Sequence, residues 1–142
     1  MKKKSSSVKR KNLKNSIFNP QTRNKRIKKI YERFEFLINQ KEFKGYLVGV
    51  SGGADSLALA YLSKCYQIKN NDKNFHYIHI DHKLRDTSSK EAQTLKKMLK
   101  KFKIGCKIVT WKKKKNTKKT QSESRDFRFK IFESFCKTKK IN

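Results

Sequence analysis

The chain has 142 residues with 39 Lys and Arg against 11 Asp and Glu, so its formal charge at pH 7 is +28. Only 35% of the residues are apolar, and no apolar run approaches the roughly 20 residues of a membrane-spanning helix. Residues 1–31 also contain no apolar core of the secretory kind, so the sequence predicts a cytoplasmic protein without a membrane span.

The net charge indicates the kind of partner, and the cysteine content indicates the redox state of the compartment. The excess of positive charge favours a phosphate-rich partner, above all nucleic acid. Biased codon usage is the alternative explanation, because 32 of the 39 basic residues are Lys and only 7 are Arg. Cys65, Cys106 and Cys136 are too widely spaced for a disulfide framework or a Cys-x-x-Cys site, so we interpret them as buried thiols of a reducing compartment.

A basic segment precedes a single predicted domain. Residues 1–26 are rich in Lys and contain no acidic residue, so we predict that they form a flexible basic arm. The domain is predicted over 27–142. It opens with apolar residues at steps of three and four, which predict an amphipathic helix: Ile27, Ile30, Tyr31, Phe34, Leu37 and Ile38.

Strands and helices then alternate. The predicted elements are strand 46–50, helix 54–66, strand 75–80, helix 92–102, strand 106–111 and helix 122–137. Ser88 or Ser89 is predicted to cap the second of these helices, and Gly105 to be its left-handed C-cap residue. Residues 112–119 are predicted to form a solvated basic loop. The alternation predicts the α/β class, with a parallel open sheet of about three strands and flanking helices.

The most specific segment lies between the first strand and the next helix: Ser51-Gly52-Gly53-Ala54-Asp55-Ser56. Two adjacent glycines let backbone N–H groups approach an anion, and the N-terminus of the helix adds partial positive charge. The serine hydroxyls add donors, and Asp55 is suited to hold a Mg²⁺ ion that bridges phosphates. Neither the Walker A pattern nor the dinucleotide pattern matches. We predict a pyrophosphate-binding loop, with a capped tight turn as the structural alternative.

Histidines accompany the second strand. His82 and Arg85 begin the loop at its carboxyl end, where open α/β sheets bind ligands. Loop capping and surface charge are the alternative roles for this pair. His76 and His79 lie on opposite faces of the strand, so they cannot chelate one metal ion together. We interpret His79 as a packed strand residue.

Two arginines stand on the last predicted helix. Arg125 and Arg128 lie three residues apart, so they share one helix face and suit a nucleotide or an RNA phosphate. A solvated helix surface is the alternative. The basic run at 112–119 is a weaker candidate for contact with RNA.

Three motifs in order resemble one enzyme family. The segment 51–56 is similar to the PP-loop, Ser-Gly-Gly-x-Asp-Ser, of the N-type ATP pyrophosphatases, which cleave ATP between its α and β phosphates. Residues 77–85 and 89–92 resemble the His-x-Asp-His-x-Leu-Arg stretch and the following helix of the tRNA(Ile)-lysidine synthetases. Residues 124–129 are similar to that family's Ala-Arg-x-x-Arg-Tyr segment, with Ser for Ala and Phe for Tyr.

The resemblance implies an adenine nucleotide alpha hydrolase-like, Rossmann-like fold, with ATP and Mg²⁺ as cofactors. In that family the wobble cytidine of tRNA(Ile) with a CAU anticodon is adenylated with release of pyrophosphate, and free L-lysine then displaces AMP. The enzyme is therefore a ligase that forms a C–N bond. The resemblance also assigns residues: ATP binding to segment 51–56, metal binding to Asp55, and catalytic roles to Asp55, His82, Arg125 and Arg128.

The family's next segment carries a His-His-x-x-Asp-Asp-x-x-Glu-Thr motif that would follow residue 142. We therefore expect this chain to be the N-terminal part of the catalytic domain and to act with a C-terminal part, including one supplied as a separate polypeptide. Two alternatives stay open. One is another PP-loop enzyme, such as a tRNA thiolase or an amide-forming ligase, and the other is an inactive basic remnant that binds nucleic acid.

Overall fold

The computed structural model describes residues 17–20, 24–83, 85–111 and 120–141. Most of the predicted basic arm and the whole of the predicted loop 112–119 lie outside these described residues. The division between arm and domain at residue 26 therefore stays a prediction.

The described residues form a parallel α/β sheet with helices on both faces. The elements are α1 (Lys25–Asn39), β1 (Gly45–Gly49), α2 (Ala54–Lys69), β2 (Asn74–Asp81), α3 (Ser88–Lys101), β3 (Cys106–Thr110) and α4 (Gln121–Lys139). The strand order is β1-β2-β3, and both pairs of neighbours are parallel. This confirms the predicted fold class. None of the described helices has the length and apolar composition needed to cross a membrane.

The start and end of α3 differ from the prediction. Thr87 is its N-cap residue, and neither Ser88 nor Ser89 caps the helix. Ser89 lies inside the first turn and donates instead to the buried carboxylate of Asp81, with the two oxygens 3.0 Å apart. A buried carboxylate needs donors more than an exposed helix end does, because water is available only to the latter.

The left-handed residue after α3 is Lys103, with φ of 56°, whereas Gly105 does not have a positive φ. The N–H groups of Lys103 and Ile104 donate to the carbonyl oxygens of Lys100 and Leu99, which is the pattern of a Schellman motif. Ile104 is buried. The prediction of Gly105 was wrong because burial of Ile104 fixes where the chain turns, two residues before the glycine.

The main core lies between the sheet and helices α1 to α3. Its buried members include Tyr31, Val48, Val50, Ala60, Cys65, Tyr66, Phe75, Tyr77, Leu95, Leu99, Ile104 and Cys106. The predicted burial of Cys65 and Cys106 is confirmed, and Cys136 is half-buried. Buried hydroxyl groups are paired: Ser63 Oγ donates to the carbonyl oxygen of Ala60 and lies 3.2 Å from Tyr77 Oη.

Helix α4 packs on the opposite face of the sheet. The ring of Phe135 contacts His76, and Phe132 lies so close to β1 that a Cβ on Gly49 would stand 2.8 Å from its Cζ. Ile141 lies beside Gly45, at the start of β1. The chain therefore returns from β3 across the sheet to β1, and α4 covers the face that α2 and α3 leave open.

A buried lysine joins the end of α1 to the sheet. Lys73, which precedes β2, is only 8% exposed. Its Nζ donates to the carbonyl oxygen of Lys41 at 2.6 Å and to those of Ile38 and Phe43 at 3.3 Å each. A cation at the C-terminal end of a helix is also favoured by the helix dipole. These three bonds fix the segment that leads from α1 into β1.

Lys73→Met should therefore destabilise the fold. The variant keeps most of the aliphatic volume but leaves the carbonyl groups without the ammonium donor, so the free energy of unfolding should fall by about 1.5–3 kcal/mol. Urea unfolding followed by circular dichroism measures this. Lys97→Met on the exposed face of α3 is the control and should change the value by less than about 0.5 kcal/mol. Equal losses in the two variants would contradict the assigned role of Lys73.

Candidate active site

The segment 51–56 connects β1 to α2. Gly52 has φ of +93°, a conformation that side chains disfavour, and Gly53 is the N-cap residue of α2. Because Gly53 has no side chain, the first N–H groups of α2 receive no side-chain cap. The N-terminus of this helix is thus presented to the carboxyl edge of the sheet, in the geometry that binds anions.

The two serines hold the segment together. Ser56 Oγ donates to the carbonyl oxygen of Gly53 at 2.9 Å and lies 3.0 Å from Ser51 Oγ. The N–H of Ser51 donates to Ser56 Oγ, and the N–H of Gly53 donates to Ser51 Oγ. These hydrogen bonds fix the shape of the segment, and the predicted role of the two hydroxyls as donors to phosphate stays a prediction.

Asp55 is exposed in the first turn of α2. Mg²⁺ in nucleotide sites is usually held by one or two carboxylates together with the phosphates of the substrate. An exposed carboxylate beside an uncapped helix N-terminus fits the first part of that requirement. Within the described ranges, no group of three or more His, Cys, Asp or Glu side chains forms a metal site.

A buried aspartate shapes the loop after β2. Asp81 is 3% exposed and accepts hydrogen bonds from the N–H of Lys83 at 2.9 Å and from Ser89. Burial acts to raise the pKa of Asp81, but the hydrogen bonds and the charge of Lys83 outweigh it and hold the pKa below its ordinary value. Lys83 adopts a left-handed conformation, with φ of 52°. The chain therefore turns sharply at the point where His82 and Arg85 stand.

A first cavity of about 650 Å³ opens between the carboxyl end of β2 and α3. Ser51 and Gly52 border it together with His82 and Arg85, as the position of these residues at strand ends predicted. One wall is apolar and consists of Ile80, Leu95 and Met98. The rest of the segment, which is the N-cap residue Gly53 and the first turn of α2 from Ala54 to Ser56, does not line this cavity.

A second cavity of about 560 Å³ lies on the other face of the sheet, under α4. Its lining includes Gly49, Arg128, Phe129 and Phe132. The two cavities meet, because four residues line both: Ser51, His79, Ile80 and His82.

Arg125 and Arg128 share a helix face, as predicted, and the residue between them in space is Phe129. The guanidinium carbons of Arg125 and Arg128 lie 5.6 and 5.9 Å from the centroid of the Phe129 ring. Arg128 lines the second cavity and Arg125 does not. No role was predicted for Phe129, although the sequence places this aromatic residue next to the arginine pair.

His82 stands against an aromatic pair. Trp111 and Phe127 are stacked, with ring centroids 4.8 Å apart and planes within 10°. The ring of His82 meets both of them edge-on, at 5.8 and 6.4 Å. This contact between β3, α4 and the loop after β2 fixes the imidazole at the junction of the cavities.

His79 also lies at the junction and lines both cavities. The sequence predicted it only as a packed strand residue. Its Nδ1 lies 2.7 Å from the carbonyl oxygen of Val50. A carbonyl oxygen only accepts, so Nδ1 carries a proton and, in the neutral ring, Nε2 is an acceptor. His76 contacts α4 instead, so the two histidines lie on opposite faces, as predicted.

Comparison with known proteins identifies the class to which this fold and loop belong. A family model described as the PP-loop domain matches residues 21–142, so the chain belongs to the PP-loop family. The chain is similar to the tRNA(Ile)-lysidine synthase of Rickettsia rickettsii (strain Sheila Smith), with 29% identity over 111 residues. It is 30% identical over 111 residues to that of Rickettsia typhi.

These alignments include 75% of this chain but 23% and 26% of the two relatives, so the chain spans about a quarter of their length. Among solved structures, a U34-tRNA thiolase from Methanococcus maripaludis matches with a TM-score of 0.65 and 21% identity. That match covers 80% of this chain and 42% of the thiolase. It shows a common PP-loop fold.

Asp81→Asn should reveal the buried carboxylate through the pH dependence of stability. A carboxylate whose folded pKa is lowered stabilises the fold above its unfolded pKa of about 3.9, and this stabilisation is lost as the pH falls through the folded value. Near pH 7 the variant should lose about 1.5–3 kcal/mol of unfolding free energy. The difference from the wild type should narrow below about pH 4.

Urea unfolding at a series of pH values measures both effects. Asp86→Asn, on the exposed part of the same loop, is the matched control and should show no such difference. A loss in Asp81→Asn that stays constant down to about pH 3 would contradict the assigned role of the carboxylate.

Proposed function

We propose that this chain provides the ATP-binding part of a tRNA(Ile)-lysidine synthetase. In this proposal the wobble cytidine of tRNA(Ile) with a CAU anticodon is adenylated at the expense of ATP, and the ε-amine of lysine then displaces AMP. The observation that carries the proposal is the PP-loop at the carboxyl edge of the sheet, beside a cavity bordered by His82 and Arg85. The similarity to the tRNA(Ile)-lysidine synthases of Rickettsia supports this particular reaction.

The first cavity suits ATP. Its apolar wall of Ile80, Leu95 and Met98 offers a surface for the purine ring. The N-terminus of α2 follows Ser51 and Gly52 at the border of the cavity, and we propose that its N–H groups bind phosphates that extend from the cavity. Arg85 and Lys83 line the same cavity and add positive charge. A nucleotide bound in this way would have its α-phosphate close to Ser51, where the second cavity begins.

In this proposal the residues of the chain position the two nucleotides and stabilise the negative charge of the phosphates. Donors aimed at the pyrophosphate stabilise it as the leaving group. Mg²⁺ held by Asp55 and the phosphates would offset the charge that develops as the α–β bond breaks. We propose that His82 contacts the reacting nucleotides from the junction of the cavities, and that Arg125 and Arg128 bind phosphates of ATP or RNA from α4.

Positive charge supports tRNA as the substrate. A formal charge of +28 favours contacts with RNA phosphates, which set affinity and orientation but carry little sequence information. Because the chain spans about a quarter of the length of its relatives, we further propose that lysine transfer uses polypeptide outside these residues, in the same chain or a separate one.

Gly53→Val should weaken ATP binding with little effect on folding. Gly53 has φ of −72° and a Cβ there meets only Ser51 Oγ, at 3.6 Å, so the free loop tolerates a side chain. The valine would instead obstruct the approach of phosphate to the backbone. Loss of one or two charge-assisted hydrogen bonds should lower the affinity for ATP about ten- to a hundredfold, as measured by calorimetry with Mg²⁺-ATP.

Gly105→Val is the control for this measurement, because a Cβ at Gly105 has no neighbour within 4 Å and the residue lies at the other end of the sheet. Its affinity for ATP should equal that of the wild type. An unchanged affinity in Gly53→Val would show that the loop does not bind the phosphates.

Lysine incorporation tests the complete proposal. Radiolabelled lysine, ATP, Mg²⁺ and tRNA(Ile) with a CAU anticodon are combined with this chain and a polypeptide that supplies the remaining length of the relatives. We expect label in the tRNA, and a loss of about a hundredfold or more in Asp55→Asn if the metal is positioned by this carboxylate. Asp72→Asn, in the exposed turn before β2, should keep full activity.

A parallel reaction separates the alternatives. Incorporation of sulfur when labelled sulfide replaces lysine would favour a tRNA thiolase. Tight binding of tRNA with no consumption of ATP would favour an inactive basic remnant, and either result would overturn lysidine synthesis as the function.

A further inference from the structure

We infer that the second cavity is the subsite for the RNA nucleobase that is modified, and that Phe129 is the surface on which this base stacks. The inference rests on the proposed function, which requires two nucleotides to meet. It goes beyond that function in assigning the substrate base to one face of the sheet and to a named side chain.

Phe129 has the features of a side chain that contacts a nucleotide. It is 54% exposed although it is a large apolar residue. Two guanidinium groups lie over its ring, those of Arg125 and Arg128. Exposed aromatic rings combined with arginines are the features by which proteins hold single-stranded RNA, the ring stacking on a base and the guanidinium binding a phosphate.

The space beside Phe129 fits a base. A volume of about 560 Å³ lies within the usual range for ligand cavities. Gly49 and Phe132 are in close contact and form an apolar part of its lining. Arg128 is the charged residue at its edge. The cavity thus combines apolar side chains with the polar residues Ser51, His79 and His82 and with one guanidinium group. This combination suits a nucleoside with its phosphate.

The junction of the two cavities is where the two reacting nucleotides would meet. Ser51, His79 and His82 line both cavities, so a base under α4 would face a nucleotide in the first cavity across the PP-loop. Adenylation requires an oxygen of the base to attack the α-phosphorus of ATP while pyrophosphate leaves. Binding the two reactants on opposite faces of the sheet, with the reacting atoms at the edge that both cavities share, satisfies this requirement.

The experiment compares two short RNAs on the full chain. One is a single-stranded heptamer with a central cytidine, and the other is the same heptamer with an abasic central nucleotide. Both carry the same phosphates, so the large positive charge of the chain contributes equally to the two affinities. Fluorescence anisotropy of the labelled RNAs should give the wild type a preference of about five- to 150-fold for the RNA that contains the base, since stacking contributes about 1–3 kcal/mol.

Variants at position 129 test the ring itself. Phe129→Ala and Phe129→Leu should lose the preference, whereas Phe129→Tyr should keep it because the aromatic face remains. Phe36→Ala is the matched control: Phe36 is 61% exposed on the basic helix α1, and its loss should leave the preference unchanged. Since Phe129 is exposed, these variants are expected to fold.

The outcomes separate this inference from the proposed function. A wild type without preference, or a Phe129→Ala variant that retains it, overturns the subsite whether or not the chain binds ATP. ATP binding is measured in parallel by calorimetry. A preserved base preference that depends on Phe129, in a chain that does not bind ATP, would support the subsite and contradict the proposed function.

Discussion

The parallel pairing of β1 with β2 is the constraint on which the site depends. Parallel strands end at the same edge of a sheet, so the loop after β1 and the loop after β2 must stand side by side. The register places Gly49 opposite Ile78, and Val50 donates to the carbonyl oxygen of Ile78 just before the PP-loop begins. The Nδ1 proton of His79 binds the carbonyl oxygen of the same Val50. The start of the loop is therefore held from the neighbouring strand, and the loop can then present its backbone to an anion without losing its shape.

The two faces of the sheet are covered in different ways, and the two cavities follow from this. Helices α2 and α3 bury the core of the protein, whereas α4 lies across the other face and has no fully buried residue. Its aromatic rings do the packing: Phe132 on Gly49, Phe135 on His76 and Phe127 on Trp111. A helix held by ring contacts at a few points leaves room beneath it, and that room is the second cavity. The proposed separation of ATP and substrate base would thus derive from how the sheet is covered.

Among the described residues, the two buried charged side chains, Lys73 and Asp81, are both hydrogen-bonded, although the chain has a large net positive charge. Lys73 binds three carbonyl oxygens, and Asp81 receives donors from the loop that it shapes. Lys73 precedes β2 and holds the segment that follows α1, whereas Asp81 ends β2 and holds the loop that leads to the site. An unpaired charge in either place would cost several kcal/mol, so the position of β2 and the shape of its loops are coupled to these bonds.

The sequence alone determined the fold class, the order of the elements and the position of the PP-loop, because these depend on local periodicity, on glycine and on the rule that parallel strands end together. It also placed His82 and Arg85 beside that loop. The N-cap at Thr87, the left-handed residue Lys103, the contact of His79 with Val50 and the position of Phe129 at the second cavity were decided only by the tertiary structure. Each of these depends on a contact between elements distant in the chain: Ser89 with Asp81, Ile104 with the core, His79 with Val50, and α4 with the sheet. A pattern of residues fixes which face of an element is apolar, but only packing fixes what that face meets.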